Sequence, residues 1–281
     1  MWLKGGLPVS DLPDLQYSLL QSGRKLAWRH WGEGPPLVLL HGWSMSSVVF
    51  SEVAPLLAGN YAVFCPDLPG HGYSEPCGQY SLEGIAEDIA DWAQQLALPS
   101  FALLGWSLGG QVALQLALES PLLLEKLLLV ATTPCFCRTD GWLHGLPKTQ
   151  VKALSRNIDR CYEKTMGDFF QLQFTGEELD RRRYREIIGF AVRPGKLPEK
   201  KQAKTLLDVL SQADLRAQLQ QVQLPVHILH GELDQIVPVG AGEFLADTLQ
   251  EAQLQRMSGV GHAPFFSRPQ QTVASWLEFL K

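Results

Sequence analysis

Residues 105–110 read Gly-Trp-Ser-Leu-Gly-Gly and place a serine between two glycines with the spacing G-x-S-x-G. An apolar run at 101–104 precedes this hexapeptide and a helical pattern follows it, which predicts a tight turn between a buried strand and a helix. Glycine suits the positions two residues before and two residues after the serine, because a side chain at either would crowd the turn. The turn exposes the serine hydroxyl, so the pattern predicts Ser107 as a catalytic nucleophile.

A nucleophilic serine needs a base that accepts its proton and an acidic group that orients the base. In a strand–turn–serine arrangement of this kind, the acid and then the histidine follow the serine along the chain. Asp234 follows the apolar run 226–230, at the carboxyl end of a predicted strand, where ligands gather. His262 lies in a Gly-rich loop after the last predicted strand. We predict His262 as general base and then general acid, with Asp234 fixing its tautomer.

Other residues compete for these roles. Glu232 is a second carboxylate in the same loop as Asp234 but lies nearer to the strand, so it remains an alternative acid. Asp67 lies in a turn, where an aspartate typically accepts hydrogen bonds from the N–H groups of its own loop. Structural roles are expected for the six other histidines, which are His30, His41, His71, His144, His227 and His230.

Two backbone N–H groups must stabilise the negative charge that develops during acyl transfer. The N–H of Leu108, directly after the serine, is the first predicted donor. The second should come from the loop His41-Gly42-Trp43-Ser44, and we predict Trp43. This chemistry requires no metal and no cofactor. The five cysteines have no metal-ligand spacing and are expected to be free thiols: Cys65, Cys77, Cys135, Cys137 and Cys161.

Strand-like and helical segments alternate along most of the chain, which predicts a mostly parallel central sheet with helices on both sides. Residues 15–20 and 25–31 should form a hairpin ahead of this alternation. The other predicted strands are 37–40, 61–65, 101–104, 127–131, 226–230 and 254–257, and the predicted helices include 81–98, capped by Ser81, 108–118, 242–249 and a last helix ending at Lys281.

The alternation is interrupted between residues 135 and 204, where helical segments occur without a convincing strand. We predict a helical lid at 135–204, inserted between two parts of one core domain, 1–134 and 205–281. The lid contains 15 Lys or Arg against 9 Asp or Glu, whereas the whole chain has a net charge of −5. Solvated helix faces alone could produce this asymmetry.

Composition limits the possible classes of protein. The acidic surface outside the lid would repel phosphate, which argues against nucleic-acid binding. No apolar stretch reaches the roughly 18 residues that suggest a membrane-spanning helix. The start, Met1–Gly6, lacks the pattern of a secretory signal. With the unpaired cysteines, these features predict a cytoplasmic protein, and we expect a monomer.

The motifs at 41–43, 105–110, 133–136, 234 and 261–265 resemble the α/β-hydrolase superfamily. More narrowly, they resemble its pimeloyl-acyl-carrier-protein methyl ester esterases of biotin synthesis. This resemblance implies an α/β-hydrolase fold and hydrolysis of the methyl ester of a pimeloyl group on acyl carrier protein. It places the triad on Ser107, Asp234 and His262. It implies substrate contacts by Trp43, Ser107, Leu108, Phe169, Phe170, Gln171, Leu172, Gln173 and His262.

The resemblance also implies that cationic lid residues Lys164, Arg181 and Arg185 contact the acidic carrier protein. A fourth cationic position of the family falls on Asp168, a reversal of charge for which Arg182 and Arg183 could compensate. The segment before Tyr17 is longer than the start that is usual in the family.

Two other functions remain open at the level of the sequence. The lid sets substrate choice, so the triad fits another serine esterase or a carbon–carbon bond hydrolase equally well. A receptor that kept the fold without turnover is disfavoured by the intact set of catalytic residues. Dehalogenases and epoxide hydrolases of this fold are disfavoured because they carry aspartate at the position of Ser107.

Overall fold

The computed structural model describes residues 12–281 and contains a sheet of eight strands. Met1–Gly6 and the rest of the segment before residue 12 lie outside the described residues. The strands are Gln16–Leu19 (β1), Lys25–Trp31 (β2), Pro36–Leu40 (β3), Ala62–Pro66 (β4), Phe101–Trp106 (β5), Leu124–Val130 (β6), Val226–Gly231 (β7) and Ala252–Met257 (β8).

The strand order across the sheet is β1-β2-β4-β3-β5-β6-β7-β8. The pairs β1–β2 and β2–β4 are antiparallel, and all other neighbouring strands run parallel. The predicted hairpin and the predicted mostly parallel sheet are therefore confirmed. The carboxyl ends of the parallel strands meet at one edge, which is where such sheets bind their ligands.

The central strands are buried on both faces, as expected for parallel strands covered by helices. Along β3, Leu37 and Leu39 belong to one hydrophobic core, whereas Val38 and Leu40 belong to the core on the other face. This alternation follows from the two-residue repeat of a strand. Each face thus has its own layer of apolar side chains, which fixes the strand ends that carry the candidate site.

Ten α-helices surround the sheet within residues 12–281. Ser81 caps the second helix as predicted, because its hydroxyl accepts a hydrogen bond from the Gly84 N–H at 3.0 Å. None of the helices in the described part of the chain is both long and apolar enough to cross a membrane. The helices are Ala54–Leu57 (α1), Leu82–Gln95 (α2), Leu108–Glu119 (α3), Lys148–Arg160 (α4), Tyr162–Leu172 (α5), Arg181–Ile187 (α6), Lys200–Gln212 (α7), Val239–Thr248 (α8), Pro264–Ser267 (α9) and Pro269–Leu280 (α10).

Helices α4 to α7 lie between β6 and β7 in the chain, in the segment that was predicted as a lid. A π-helical turn, Ile188–Val192, extends α6. Helix α7 continues to Gln212 and so crosses the boundary drawn after residue 204. An isolated β-bridge pairs Cys135 with Asp214, so the two ends of the inserted segment lie side by side. Below, the lid denotes the inserted helical segment from Lys148 to Gln212 and the core denotes the sheet with its flanking helices. The division into domains at residues 135 and 204 remains a prediction.

Candidate active site

Ser107 occupies the turn between β5 and α3 with φ 56° and ψ −114°, a conformation that non-glycine residues rarely adopt. The turn is tightly packed: a Cβ at Gly105 would lie 2.3 Å from the Gly109 carbonyl oxygen. A Cβ at Gly109 would likewise lie 2.3 Å from the Leu40 carbonyl oxygen. The two glycines therefore allow the strained turn that presents Ser107 at the start of α3.

His262 and Asp234 form a buried pair at the same edge of the sheet. His262 Nδ1 lies 2.7 Å from Asp234 Oδ2, and the residues are only 2% and 5% exposed. The ionised carboxylate can only accept, so Nδ1 carries the proton and Nε2 is left as the basic nitrogen. Within residues 12–281, the Ser107 hydroxyl forms no hydrogen bond to His262; such catalytic contacts often tighten only when substrate binds.

Asp234 remains ionised although it is buried. Burial by itself would raise the pKa of Asp234, but the imidazoles of His262 and His230 hold that pKa well below its ordinary value. The other carboxylate oxygen, Oδ1, accepts hydrogen bonds from the Ile236 and Val237 N–H groups, each at 2.8 Å. The loop after β7 thus holds a fixed negative charge against His262 Nδ1.

The backbone of His262 is fixed on both sides. Its carbonyl oxygen accepts a hydrogen bond of 2.9 Å from Trp106 Nε1, and Trp106 directly precedes the candidate nucleophile. Its N–H donates to the Gln173 carbonyl oxygen, also at 2.9 Å. The core and the lid therefore hold the candidate base together.

The loop after β3 provides the second candidate oxyanion donor. The Gly42 carbonyl oxygen accepts hydrogen bonds from His41 Nδ1 at 2.9 Å and from the Met45 N–H at 3.2 Å. The Gly42 carbonyl and the Trp43 N–H belong to the same trans peptide, in which the two groups point in opposite directions. The two hydrogen bonds to the carbonyl oxygen therefore also fix the direction of the Trp43 N–H. Among the described residues, the N–H groups of Trp43 and Leu108 have no hydrogen-bond acceptor. Both groups are available to stabilise an oxyanion.

His41 is locked in one tautomer. Its Nε2 accepts from the Leu68 N–H at 2.9 Å, so its Nδ1 must be the protonated nitrogen. Burial lowers the pKa of His41, although Asp67 and the hydrogen bond to Gly42 oppose this. A neutral His41 therefore acts as a structural support of the oxyanion loop, in agreement with the structural role predicted for it.

A cavity of about 190 Å³ lies between this loop and the lid. Its walls are mainly apolar and include Met45, Phe170 and Ile188. Ser44 also lines the cavity; it has φ 59°, is 2% exposed, and its hydroxyl has no hydrogen-bond partner within residues 12–281. The cavity lies against the loop of the second candidate oxyanion donor, and its mainly apolar wall with few polar groups suits an acyl chain.

The predicted substrate-contacting stretch 169–173 divides into two faces. Phe169 packs edge-on against Trp43 with ring centroids 4.8 Å apart, and Phe170 and Gln173 are buried. Gln171 and Leu172 face outward and are exposed. The structure therefore brings three of the five predicted residues to the inner side of the lid, as the helical repeat of α5 requires.

The sequence profile of the α/β-hydrolase fold family matches residues 35–269, a range that includes Ser107, Asp234 and His262. The chain belongs to the α/β-hydrolase family.

Curated relatives resemble this α/β hydrolase over most of their length. The pimeloyl-[acyl-carrier protein] methyl ester esterase of Nitrosomonas europaea is 40% identical over 244 residues, covering 86% of this chain and 94% of the relative. The esterase of the same name from Yersinia pseudotuberculosis is 34% identical, covering 91% of this chain and 97% of the relative. Among solved structures, an esterase from Exiguobacterium antarcticum has a TM-score of 0.87 at 25% identity, covering 94% of this chain and 98% of that one.

The predicted carrier-contacting residues of the α/β hydrolase lie on the exposed side of the lid. Arg181 and Arg185 are exposed and line one groove together with Tyr184. Lys164 forms an exposed ion pair with Asp168, with Nζ and Oδ2 2.5 Å apart. Asp168, the position of reversed charge, thus partly neutralises Lys164, which leaves Arg181 and Arg185 as the stronger candidates.

Arg183 does not join this exposed group. Its guanidinium forms a bidentate ion pair with Glu52 and donates to the Phe266 carbonyl oxygen. The Arg183 guanidinium also lies over the ring of Phe190, with its Cζ 5.7 Å from the ring centroid, and forms a cation–π interaction. The interpretation that Arg183 could replace the missing cation is wrong, because this side chain binds the lid to the core.

The structure also places the other residues that were considered for the site. Glu232 is exposed, and His262 pairs with Asp234 instead. Asp67 accepts from the Tyr73 N–H in its own loop, as predicted, and also from the Ser47 N–H. Sequence reasoning missed His230, whose Nε2 lies 3.4 Å from Asp234 Oδ2. It also missed the support given by Trp106. Within the described residues, no group of His, Cys, Asp and Glu is arranged to hold a metal ion.

Proposed function

We propose that this α/β hydrolase is a carboxylesterase that cleaves the methyl ester of a pimeloyl group carried on acyl carrier protein. The products are methanol and the free carboxylate, which is the form needed for biotin synthesis. The buried Asp234–His262 pair beside the strained Ser107 turn is the observation that supports hydrolysis. The substrate is supported by relatives that bear this name at 34% to 40% identity over nearly their whole length.

In the first half of the reaction, His262 Nε2 takes the proton of Ser107 as its oxygen attacks the ester carbonyl carbon. The carbonyl oxygen becomes negatively charged and is stabilised by the N–H groups of Leu108 and Trp43. Asp234 stabilises the imidazolium form of His262 during this step. His262 then gives its proton to the departing methoxy oxygen, so methanol leaves and an acyl-Ser107 ester remains.

In the second half, a water molecule attacks the acyl-Ser107 ester and His262 removes its proton. The same N–H groups stabilise the second oxyanion. Collapse of this intermediate breaks the bond to Ser107 Oγ, which regains a proton from His262. The free carboxylate is released, and the bond between the carrier and the other end of the acyl chain is untouched.

The partner is an acidic carrier protein, and the exposed Arg181 and Arg185 supply the complementary charge. Arginine suits this contact because its planar guanidinium can bind a carboxylate through two hydrogen bonds. We propose a cytoplasmic location, which fits a carrier-bound substrate of fatty-acid-type elongation. We propose a monomer, since the nucleophile, base, acid and two oxyanion donors assigned to the site already form a complete set within one chain.

The direct test is incubation of the purified enzyme with the methyl ester of pimeloyl-acyl carrier protein, with the loss of the methyl group followed by mass spectrometry. Wild-type enzyme should release the free carboxylate and Ser107→Ala should not. Cleavage of p-nitrophenyl acetate without cleavage of the carrier-bound ester would assign the chain to another esterase. Restored growth of a biotin-requiring strain blocked at this step would support the proposal in cells.

A further inference from the structure

The lid reaches the loop of the candidate base through two hydrogen bonds. The His262 N–H donates to the Gln173 carbonyl oxygen at 2.9 Å. The preceding N–H, that of Gly261, donates to Glu177 Oε1 at 2.8 Å. Two successive backbone groups of the catalytic loop are thus held by one short turn of the lid, residues 173–177.

The contact is close enough to transmit a displacement. A Cβ on Gly261 would lie 2.3 Å from the Gln173 carbonyl oxygen and 2.9 Å from Glu177 Oε1. The lid turn therefore packs directly against the backbone of the catalytic loop, at a distance that only glycine permits. Gln173 is 1% exposed, and its position is therefore fixed by packing. Arg183, which lies further along the lid, donates a hydrogen bond to the carbonyl oxygen of Phe266, four residues after His262 in the chain.

Glu177 is half-buried between the catalytic loop and the exposed side of the lid. It lines the groove that contains Arg181, Tyr184 and Arg185. A single side chain therefore connects this exposed groove with the backbone next to His262. A carboxylate that accepts a hydrogen bond from a backbone N–H forms a charge-assisted hydrogen bond, which is stronger than one between two neutral groups. Such a bond is suited to hold a loop in place.

We propose that Glu177 is a positioning residue that sets the alignment of His262 toward Ser107 through the Gly261 N–H. The inference rests on the assignment of Ser107 and His262 to the triad in the proposed function. Glu177 touches neither substrate nor reacting atoms in this role. When the Glu177 contact is lost, the loop carrying the base can shift, and a displacement of about 1 Å in such a group can lower turnover by as much as about 10²-fold.

The test compares Glu177→Ala, Glu177→Gln and Glu177→Asp with wild type on p-nitrophenyl acetate, a substrate too small to require the lid groove. Glu177→Ala should lower kcat by about ten-fold while KM changes by less than about two-fold, because alignment is lost and not binding. Glu177→Gln keeps an oxygen acceptor at the same reach and should recover most of kcat. Glu177→Asp shortens the arm by one methylene and should fall between the two.

Phosphonylation of Ser107 by a small fluorophosphonate, which also needs the base, should slow in the same order. Glu178→Ala is the matched control, since Glu178 is the exposed neighbouring carboxylate. An unchanged kcat in Glu177→Ala would overturn the inference. Equal losses in the Ala and Gln variants, with lowered melting temperatures, would do so too. Should Glu177→Ala fail to fold, a wild-type kcat in Glu177→Asp is the overturning result.

Failure of the underlying assignment has a different signature. An inactive wild-type enzyme, or an active Ser107→Ala variant, would refute the assignment of the triad. An active wild-type enzyme, an inactive Ser107→Ala variant and a fully active Glu177→Ala variant would support the triad and refute only the role of Glu177.

Discussion

The core turn that carries Ser107 and the lid turn that contacts His262 are held in place by different interactions. The core turn depends on close backbone packing, against Gly109 of the same turn at Gly105 and against the Leu40 carbonyl oxygen at Gly109. The lid depends on contacts between side chains far apart in sequence, such as Arg183 with Glu52, which are separated by 131 positions. The glycines that permit the close packing leave a pattern in the sequence, whereas a distant pair of side chains leaves none.

The two regions also differ in which function their substitutions should impair. The core turn places the nucleophile and one oxyanion donor, so we expect its variants to lose turnover on every ester. The exposed Arg181 and Arg185 of the lid contact no residue of the triad, so we expect their variants to lose activity on the carrier-bound substrate alone. Substitutions in the core turn and at these two arginines can therefore separate chemistry from recognition.

The largest effect is expected for Ser107→Ala, which removes the nucleophile. Hydrolysis of both the carrier-bound ester and p-nitrophenyl acetate should fall on the order of 10³-fold or more. The melting temperature should not fall, because alanine retains the Cβ and the turn is built by glycine packing. Initial rates at saturating substrate measure the loss, and more than a tenth of wild-type activity in this variant would refute the assignment of Ser107.

A smaller loss is expected for Asp234→Asn, which removes the charge beside His262 and favours the wrong imidazole tautomer. We expect kcat to fall on the order of 10²-fold or more, with little change in KM. The matched control is Glu232→Gln, which alters the exposed carboxylate two residues away. Its kcat should stay within about two-fold of wild type, since Glu232 does not contact His262. If Glu232→Gln proved the more damaging change, the acid would have to be reassigned.

The lid should respond differently. The double variant Arg181→Glu with Arg185→Glu should lower kcat/KM for the carrier-bound ester by about ten-fold or more, and added salt should reduce the difference from wild type. The same variant should cleave p-nitrophenyl acetate at nearly the wild-type rate. Lys201→Glu is the matched control, because Lys201 is an exposed cation of the lid on a different helix, α7, and its rates on both esters should stay near those of wild type.

Two other outcomes would change the view of the lid. Equal losses of the double variant on both esters would mean that Arg181 and Arg185 support the lid structure. Unchanged rates on both would mean that they are solvated surface residues, which is the alternative that the charge pattern allowed.

The same contrast explains how much could be predicted from the sequence. Strand β5 was predicted at residues 101–104 and continues to Trp106, because Gly105 and Trp106 still pair with Leu129 and Val130 of β6. The order of strands and helices followed from apolar runs and turn residues. Arg183 was grouped with its exposed neighbours because sequence alone gives no sign of Glu52 or the Phe266 carbonyl oxygen near its guanidinium.

The candidate site divides in the same way. The spacing of residues 105–110 predicted the Ser107 turn, and the local patterns around residues 234 and 262 predicted a strand-end aspartate and a loop histidine. The contacts of His262 with Trp106, Gln173 and Asp234 join residues that are 28 to 156 positions apart or on different layers of the fold. Such contacts follow from the assembled tertiary structure, so no periodicity in the sequence indicates them.

The smallest expected effect concerns Ser44, in the core loop beside the cavity. In Ser44→Gly, relief of the strain at φ 59° and removal of a buried hydroxyl that has no partner within residues 12–281 should together add roughly 1 kcal/mol to the free energy of unfolding. The larger conformational entropy of glycine in the unfolded chain opposes this gain by roughly 0.4–1 kcal/mol, so the net free energy of unfolding should equal that of wild type or rise slightly. Ser46→Gly provides the matched control in the same cavity wall, since Ser46 is also buried but has φ −150°, which any residue adopts. Only the entropic effect applies there, and Ser46→Gly should be destabilised. Urea unfolding of both variants measures the difference, and equal destabilisation of the two would mean that the core loop stores no strain at Ser44.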